Sequence, residues 1–293
     1  MMDALIARIR AEVLADAPSL LSLFDTMAGE ARFARGWLDA DIARLTKGAA
    51  ILEVGGGICL LSCLLASEGF SVTVIEPTGD GFGEFDALRE IVLRQGAEQG
   101  GIPHVVRCFA EDFTAQERYD FACSVNVMEH VQSPAQVIAR VADVLNAAAH
   151  YRFFCPNYAF PYEPHFNIPT IGSKALTQRL FAHKIFNNTR MHNPTGVWQS
   201  LNWITVRKLR RIMASEPRLS MRCNPDILSQ MLERVTQDEA FAARRSGWMV
   251  KLIRGLVVLR LHRLASLMPV CLQPVMDVRL IKSASLTAAS GQN

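Results

Sequence analysis

The stretch AAILEVGGGICLLSCLLASEGFSVTVIEP, Ala49 to Pro77, decides how the rest of the chain is read. Ala50-Ile51-Leu52 is a short apolar run of the kind found in buried parallel strands. Gly55-Gly56-Gly57 interrupts it. From Cys59 to Glu68 the residues suit a helix, with Leu60, Leu61, Leu64 and Leu65 on one face, and Gly69 closes it. Ser71 to Ile75 alternates with β-branched residues and ends at Glu76-Pro77. Strand, glycine turn, helix, strand and acid make one βαβ unit of about thirty residues.

Such a unit predicts a ligand. Glycines at a strand end let a ligand approach the main chain with no Cβ in the way. The helix start offers unpaired N–H groups to an anionic group. Glu76 follows Gly57 by 19 residues, which places a carboxylate at the tip of the second strand, in reach of both hydroxyls of a ribose. The expected ligand is therefore a nucleoside. A dinucleotide fingerprint, G-x-G-x-x-G, requires glycine at position 60, where Leu60 stands; the chain carries Glu53-x-Gly55-x-Gly57 instead.

E-x-G-x-G followed by the acid at Glu76 resembles the first two motifs of class I S-adenosylmethionine-dependent methyltransferases. The family's pattern has a third glycine where this chain has Cys59. The resemblance covers residues 48 to 157 well and 200 to 223 faintly. It implies an α/β fold, a Rossmann-like and mostly parallel sheet flanked by helices. It also implies S-adenosyl-L-methionine as cofactor and transfer of its methyl group to an acceptor.

Composition sets bounds. The 293 residues suffice for one large α/β domain with an appended part, and half of them are apolar, enough for a large core. A net charge of +3 argues against a dedicated nucleic-acid binder. The seven cysteines form no C-x-x-C pair and read as buried, reduced thiols of a cytoplasmic protein. The start carries Asp3 and Glu12 at helical spacing and does not read as a secretory signal. No run reaches the length of a membrane span.

Outward from the central unit, residues 1–47 read as a helical cap, either a lid over the cofactor or simple packing. Leu5, Ile6, Ile9, Val13 and Leu14 form one stripe, and Trp37, Leu38, Ile42 and Leu45 another. Thr78 to Phe85 reads as a loop, Ala87 to Gln99 as a helix and His104 to Cys108 as a third strand. In the family, an acid after this strand reads the adenine edge; here the role falls to Glu111 or Asp112, with Phe109 available to stack on the base. Tyr119 to Val125 is the expected fourth strand, running into Asn126-Val127-Met128-Glu129-His130. That segment resembles the post-strand-four segment of a large subgroup, where Glu-His sits beside the cofactor; it implies cofactor contacts from Asn126 and Glu129. It lacks the Asn-Pro-Pro-Tyr of many methyltransferases acting on bases. Ser133 to Leu145 reads as a helix and Tyr151 to Cys155 as the fifth strand, all five strands being separated by helices.

Pro156 to Phe166 leaves the same edge of the sheet and is kept extended by three prolines. It packs two tyrosines, two phenylalanines, a glutamate and a histidine beside the expected cofactor, the density of an acceptor pocket. His165 is the leading candidate base for an oxygen acceptor, with His130, Glu163 and Tyr162 beside it. No metal-ligand spacing accompanies them. Residues 167–205 form an insertion in a methyltransferase domain spanning 48–223, and Trp198 to Trp203 is expected to return to the pocket rim. Thr205 reads as the N-cap of a helix over Val206 to Ala214, Leu219 to Cys223 as strand six, and 225–245 as a helix.

The C-terminal extension, 224–283, is expected to be helical and to end in a closing edge strand at Asp277 to Ser283, followed by a disordered tail, 284–293. No acid lies between Glu239 and Asp277, while basic residues run among Trp248, Leu252, Ile253 and their apolar neighbours. A basic, apolar helix of this kind either packs on the protein or lies in a membrane interface, here through 244–268. The expected activity is methyl transfer to a small-molecule or lipid-linked acceptor, at oxygen. A non-catalytic scaffold that binds the nucleoside stays open. A nicotinamide-dependent oxidoreductase is disfavoured by Leu60.

Overall fold

Helices α1 (Met2–Asp16) and α2 (Leu21–Ile42) precede the sheet in the computed structural model, which describes residues 2–77, 83–189, 191, 193–243 and 245–284. The central unit folds as its residues dictate: β1 (Ala50–Val54), the glycine turn, α3 (Leu60–Ser67) and β2 (Ser71–Ile75), with β1 and β2 parallel. Then come α4 (Gly83–Glu98), β3 (His104–Val106), β4 (Tyr119–Val125), α5 (Pro134–Val144) and β5 (Leu145–Pro156). The expected insertion holds α6 (Lys174–Phe186) and α7 (Pro194–Ser200), and α8 (Val206–Ala214) and β6 (Leu219–Cys223) follow. The chain ends with α9 (Ile227–Gln237), α10 (Glu239–Ala243), α11 (Gly247–Val258) and β7 (Val275–Lys282). Most of the loop expected at Thr78 to Phe85, Arg244 and the tail beyond Ala284 lie outside the described residues.

The seven strands form one sheet in the order β3-β2-β1-β4-β5-β7-β6. Strand order reverses between β1 and β4, and a ligand crevice opens at the carboxyl ends there. Alternation along the strands builds two layers. Leu52, Val54 and Ala122 face a core completed by Val137, Val141, Trp198 and Leu209. Ile51, Phe121 and Cys123 face Leu38 of α2 and Leu61 and Leu65 of α3. All seven cysteines are free.

Four expectations are corrected. β7 is not an edge strand: it lies antiparallel between β5 and β6, and β6 forms the edge. Its polar residues look like edge chemistry but are satisfied internally. Asp277 accepts from Arg152 at 2.9 and 2.6 Å, and Arg152 and Arg279 each reach Asp41 of α2 at 2.6 Å. No helix separates β3 from β4 among the described residues; an irregular loop does, turning at Phe109 to Asp112. The helix expected over 225–245 breaks at Asp238, whose extended backbone ends α9 and whose Oδ1 accepts from the Phe241 amide at 2.8 Å. The basic helix ends at Val258, because Arg260 takes a left-handed conformation (φ 57°) that leads into a 3₁₀ turn, Leu261–Leu267.

Candidate active site

The glycine turn owes its shape to backbone geometry only glycine accepts easily. Gly55 has φ +75°, and a Cβ there would meet Val127 Cγ2 at 2.4 Å. On Gly56 it would meet Val74 Cγ2 at 2.2 Å. Cys59, where the family pattern has glycine, also sits left-handed at φ 61° as the N-cap of α3. That explains the glycine: a side chain there is held at a strain of about 1 kcal/mol or more.

Glu76 directly follows β2 beside this turn and is buried. Its Oε2 accepts from the Gly57 amide at 2.9 Å, and Arg89 Nη2 stands 3.6 Å from Oε1. Arg89 also donates to the Gly57 carbonyl at 2.8 Å and to Asp86 at 2.8 Å, so one guanidinium ties acid, turn and α4 together. Burial raises Glu76 to about 7, against the Gly57 amide and the Arg89 charge, which lower it. Glu53 accepts from Ser62 of α3, and burial likewise lifts it to about 7.

A cleft of about 2200 Å³ opens over these groups. Glu53, Gly55, Gly57, Glu76, Phe109 and Asn126 line one part of it. Asn126 holds its position with φ 56° and its backbone N–H donating to the Phe154 carbonyl at 2.8 Å. Met27, Glu30 and Ala34 of α2 line it too, whereas α1 contributes no lining residue. His130, Tyr162, His165 and Asn167 line another part, joined by Gln199, Ser200 and Asn202, which return to the rim as expected.

The two histidines come together although they are far apart in the chain, their ring centroids 5.2 Å apart. His165 Nδ1 lies 2.6 Å from Glu163 Oε1. Glu163 is fully buried and also accepts from the Phe166 amide at 2.7 Å and from Tyr158 Oη at 3.2 Å. Burial lowers the His165 pKa, but the Glu163 hydrogen bond and the Glu163 and Glu129 charges outweigh it, and the net shift is upward. His130 Nδ1 pairs with Ser200 Oγ at 2.8 Å. Burial, then His165 and Lys174, push His130 down to about 3. Glu129 is fully buried, and burial lifts it to about 7. Asn202 clamps this segment, its Nδ2 donating to the Met128 and Val131 carbonyls at 2.8 and 2.7 Å.

Several expected site residues are placed differently. Asp112 is exposed and does not line the cleft. Glu111 reaches the cleft, but its Oε1 accepts from the Gln132 and Ser133 amides at 2.7 and 3.1 Å, holding the start of α5. Glu163 and Glu129 stand behind the cleft wall, in contact with the histidines that form it. Tyr162 lines the cleft and donates to Asn167 Oδ1 at 2.7 Å. Within the aromatic loop, Tyr158 is buried and stacks on Trp203 at 5.4 Å, whereas Tyr162, Pro164, His165 and Asn167 line the cleft. Arg89 was not singled out from sequence; Asp86 and Arg89, one turn apart on α4, were the available signal.

A family model described as a methyltransferase domain matches residues 28–215. An uncharacterized protein of Mycobacterium tuberculosis (strain ATCC 25618 / H37Rv) is 56% identical over 281 residues, covering 96% of this chain and 95% of its own. A ubiquinone biosynthesis O-methyltransferase of Paramagnetospirillum magneticum is 37% identical over 94 residues, 32% of this chain and 34% of its own. Among solved structures, the Haemonchus contortus phosphoethanolamine N-methyltransferase 2 in complex with S-adenosyl-L-methionine superposes with a TM-score of 0.50 at 12% identity. It covers 86% of this chain, and this chain spans about half of its length, 52%. That likeness is one of fold. With the glycine turn and Glu76 at the carboxyl edge of its sheet and the family model matched over most of its length, this chain belongs to the class I S-adenosylmethionine-dependent methyltransferase family.

Proposed function

We propose that this protein transfers the methyl group of S-adenosylmethionine to an oxygen of a small-molecule or lipid-linked acceptor. One observation carries the reading: a histidine fixed by a buried carboxylate, His165 on Glu163, lines the same cleft as the glycine turn and Glu76. Glu76 accepts from the ribose hydroxyls, Gly55 and Gly57 admit the cofactor backbone, and Phe109, half exposed on the cleft wall, stacks on the base. The sulfonium makes the methyl electrophilic, so the protein's main task is alignment. An oxygen acceptor must also lose a proton. The oxygen bonds to the methyl carbon, the carbon–sulfur bond leaves its electron pair on sulfur, and the proton passes to the unshared nitrogen of His165. The relative from Paramagnetospirillum magneticum, an O-methyltransferase by name, supports oxygen over the matched 94 residues.

The lipid-linked form of the acceptor is supported by the C-terminal surface. Trp248, Leu252, Val258, Leu259, Leu264 and Leu267 are each more than half exposed, and Lys251, Arg254, Arg260 and Arg263 are exposed among them. Only Ile253 and His262 of this segment are buried, the latter 2.7 Å from Glu233. No helix among the described residues is long and apolar enough to cross a membrane. An exposed basic and apolar face fits contact with an anionic membrane surface.

The test uses S-adenosylmethionine labelled in its methyl group, incubated with the protein and a fractionated cell extract. Label in the organic-extractable pool supports a lipid-linked acceptor, and label in the aqueous pool a soluble one. His165→Ala should slow turnover more than it weakens cofactor binding. Cofactor binding with no labelled product from any fraction would favour a non-catalytic scaffold.

A further inference from the structure

Behind the cleft wall, Glu129 carries a carboxylate that is fully buried, and neither of its oxygens has a hydrogen-bond partner among the described residues. A bare buried carboxylate is costly unless a cation or donor meets it. Lys174, the cation whose charge reaches His130, turns elsewhere and donates to the Leu201 and Gln199 carbonyls at 2.6 and 3.0 Å.

Two imidazole nitrogens face that carboxylate, and the surrounding hydrogen bonds decide which of their atoms carry lone pairs. Ser200 Oγ donates its only hydrogen to the Val197 carbonyl at 2.8 Å. It therefore accepts from His130 Nδ1–H, which leaves Nε2 of His130 unprotonated. Glu163 accepts from His165 Nδ1–H, which makes Nε2 the nitrogen of His165 that an ion would take, any proton on it leaving as the ion binds. A histidine whose far nitrogen donates to a buried carboxylate is the usual arrangement behind a metal ligand. His130 Nε2 lies 4.0 Å from Glu129 Oε1, and the donor atoms of Glu129, His130 and His165 all lie within 4.8 Å of one another. A four-coordinate ion with bonds of about 2.1 Å separates its ligands by about 3.4 Å, a small side-chain adjustment away.

We propose that Glu129, His130 and His165 form a binding site for one divalent transition-metal ion, such as zinc or cobalt, at the acceptor end of the cleft. Two imidazoles and one carboxylate suit such an ion better than magnesium or calcium, which favour oxygen. Both histidines line the cleft, so a remaining coordination position faces the space where an acceptor would lie. The site deepens the methyl-transfer reading at one point: with the ion bound, His165 is a ligand and not the base.

The test is titration of the full chain with cobalt(II), read by calorimetry and by visible absorption. One ion per chain, with d–d bands and no sulfur-to-cobalt charge-transfer band, is expected; the second criterion separates this site from the free cysteines. Glu129→Gln and His165→Ala should each weaken binding at least about tenfold, and His104→Ala, on an exposed strand end, should not. If Glu129→Gln fails to fold, His165→Ala carries the comparison, since its ring is partly exposed to the cleft and is not part of the packed core. No ion bound to the folded wild-type protein, or binding unchanged in His165→Ala, would overturn the site and leave His165 as base. Titration of the same wild-type sample with S-adenosylhomocysteine reports on the cofactor separately. Its success without ion uptake sinks only the metal site, and its failure beside ion uptake strikes only the methyl-transfer reading.

Discussion

Replacing Glu76 with alanine tests the cofactor assignment most sharply. The carboxylate stands at the tip of β2, buried, with one oxygen on the Gly57 amide at 2.9 Å and the other 3.6 Å from Arg89. A ribose would donate two hydrogen bonds to a charged acceptor, each worth about 1.5–3 kcal/mol. Loss of one sets a floor of about tenfold in affinity; loss of both, partly offset by water entering the space, sets a ceiling near a thousandfold. Calorimetric titration with S-adenosylhomocysteine reads this, with circular dichroism as the check that α4 and the turn survive. The wild-type protein should also show a pH signature. Burial holds Glu76 at about 7 in the free protein, and a ribose donating to it favours the ionised form. Affinity should therefore fall by up to about tenfold per pH unit below 7 and level off above it. An alanine variant that binds within about twofold of wild type, together with a flat profile, would refute the ribose assignment.

Gly55→Ala should destabilise the fold by about 1–3 kcal/mol and weaken cofactor binding, since its Cβ would stand 2.4 Å from Val127 at φ +75°; thermal unfolding and titration read the two effects. Asp41 links α2 to the sheet. Burial raises its pKa, but hydrogen bonds from His150 and Arg152 and the charges of Arg152 and Arg279 outweigh that and hold it at about 2, below its ordinary 3.8. A lowered folded value means the ion pair contributes about 2 kcal/mol above pH 4, lost as pH falls towards 2; denaturant midpoints of wild type and Asp41→Asn should converge over that window. Sedimentation with anionic vesicles should show binding at low salt that weakens as screening shortens the Debye length. Trp248→Ala with Leu252→Ala should reduce it, and no binding at low salt would end the membrane reading.

The fold and half of the candidate site's layout were legible in the chain for a local reason. Strand, glycine turn, helix and acid lie within one contiguous stretch, Ala50 to Glu76, so spacing alone places Gly55, Gly57 and Glu76 together. The post-β4 segment and the proline-rich loop were legible as cleft walls, because both leave the carboxyl edge of neighbouring strands. What their residues face was not. Glu111 looks free in the sequence, but its partners are backbone amides at the start of α5. Glu129 and Glu163 read as cleft acids, yet they stand behind two histidines whose pairing requires β5 and the Pro156–Phe166 loop to fold back. β7 misled for a similar reason: Asp277 and Arg279 signal an edge until Arg152 and Asp41, distant in sequence, are seen to satisfy them.

The most direct measurement is a crystal structure of the protein with S-adenosylhomocysteine bound. The ribose hydroxyls are expected on Glu76, the base against Phe109, and the sulfur turned towards the part of the cleft that His130 and His165 line. A ligand whose ribose lies away from Glu76, or a His165 ring turned out of the cleft and away from the sulfur, would contradict it.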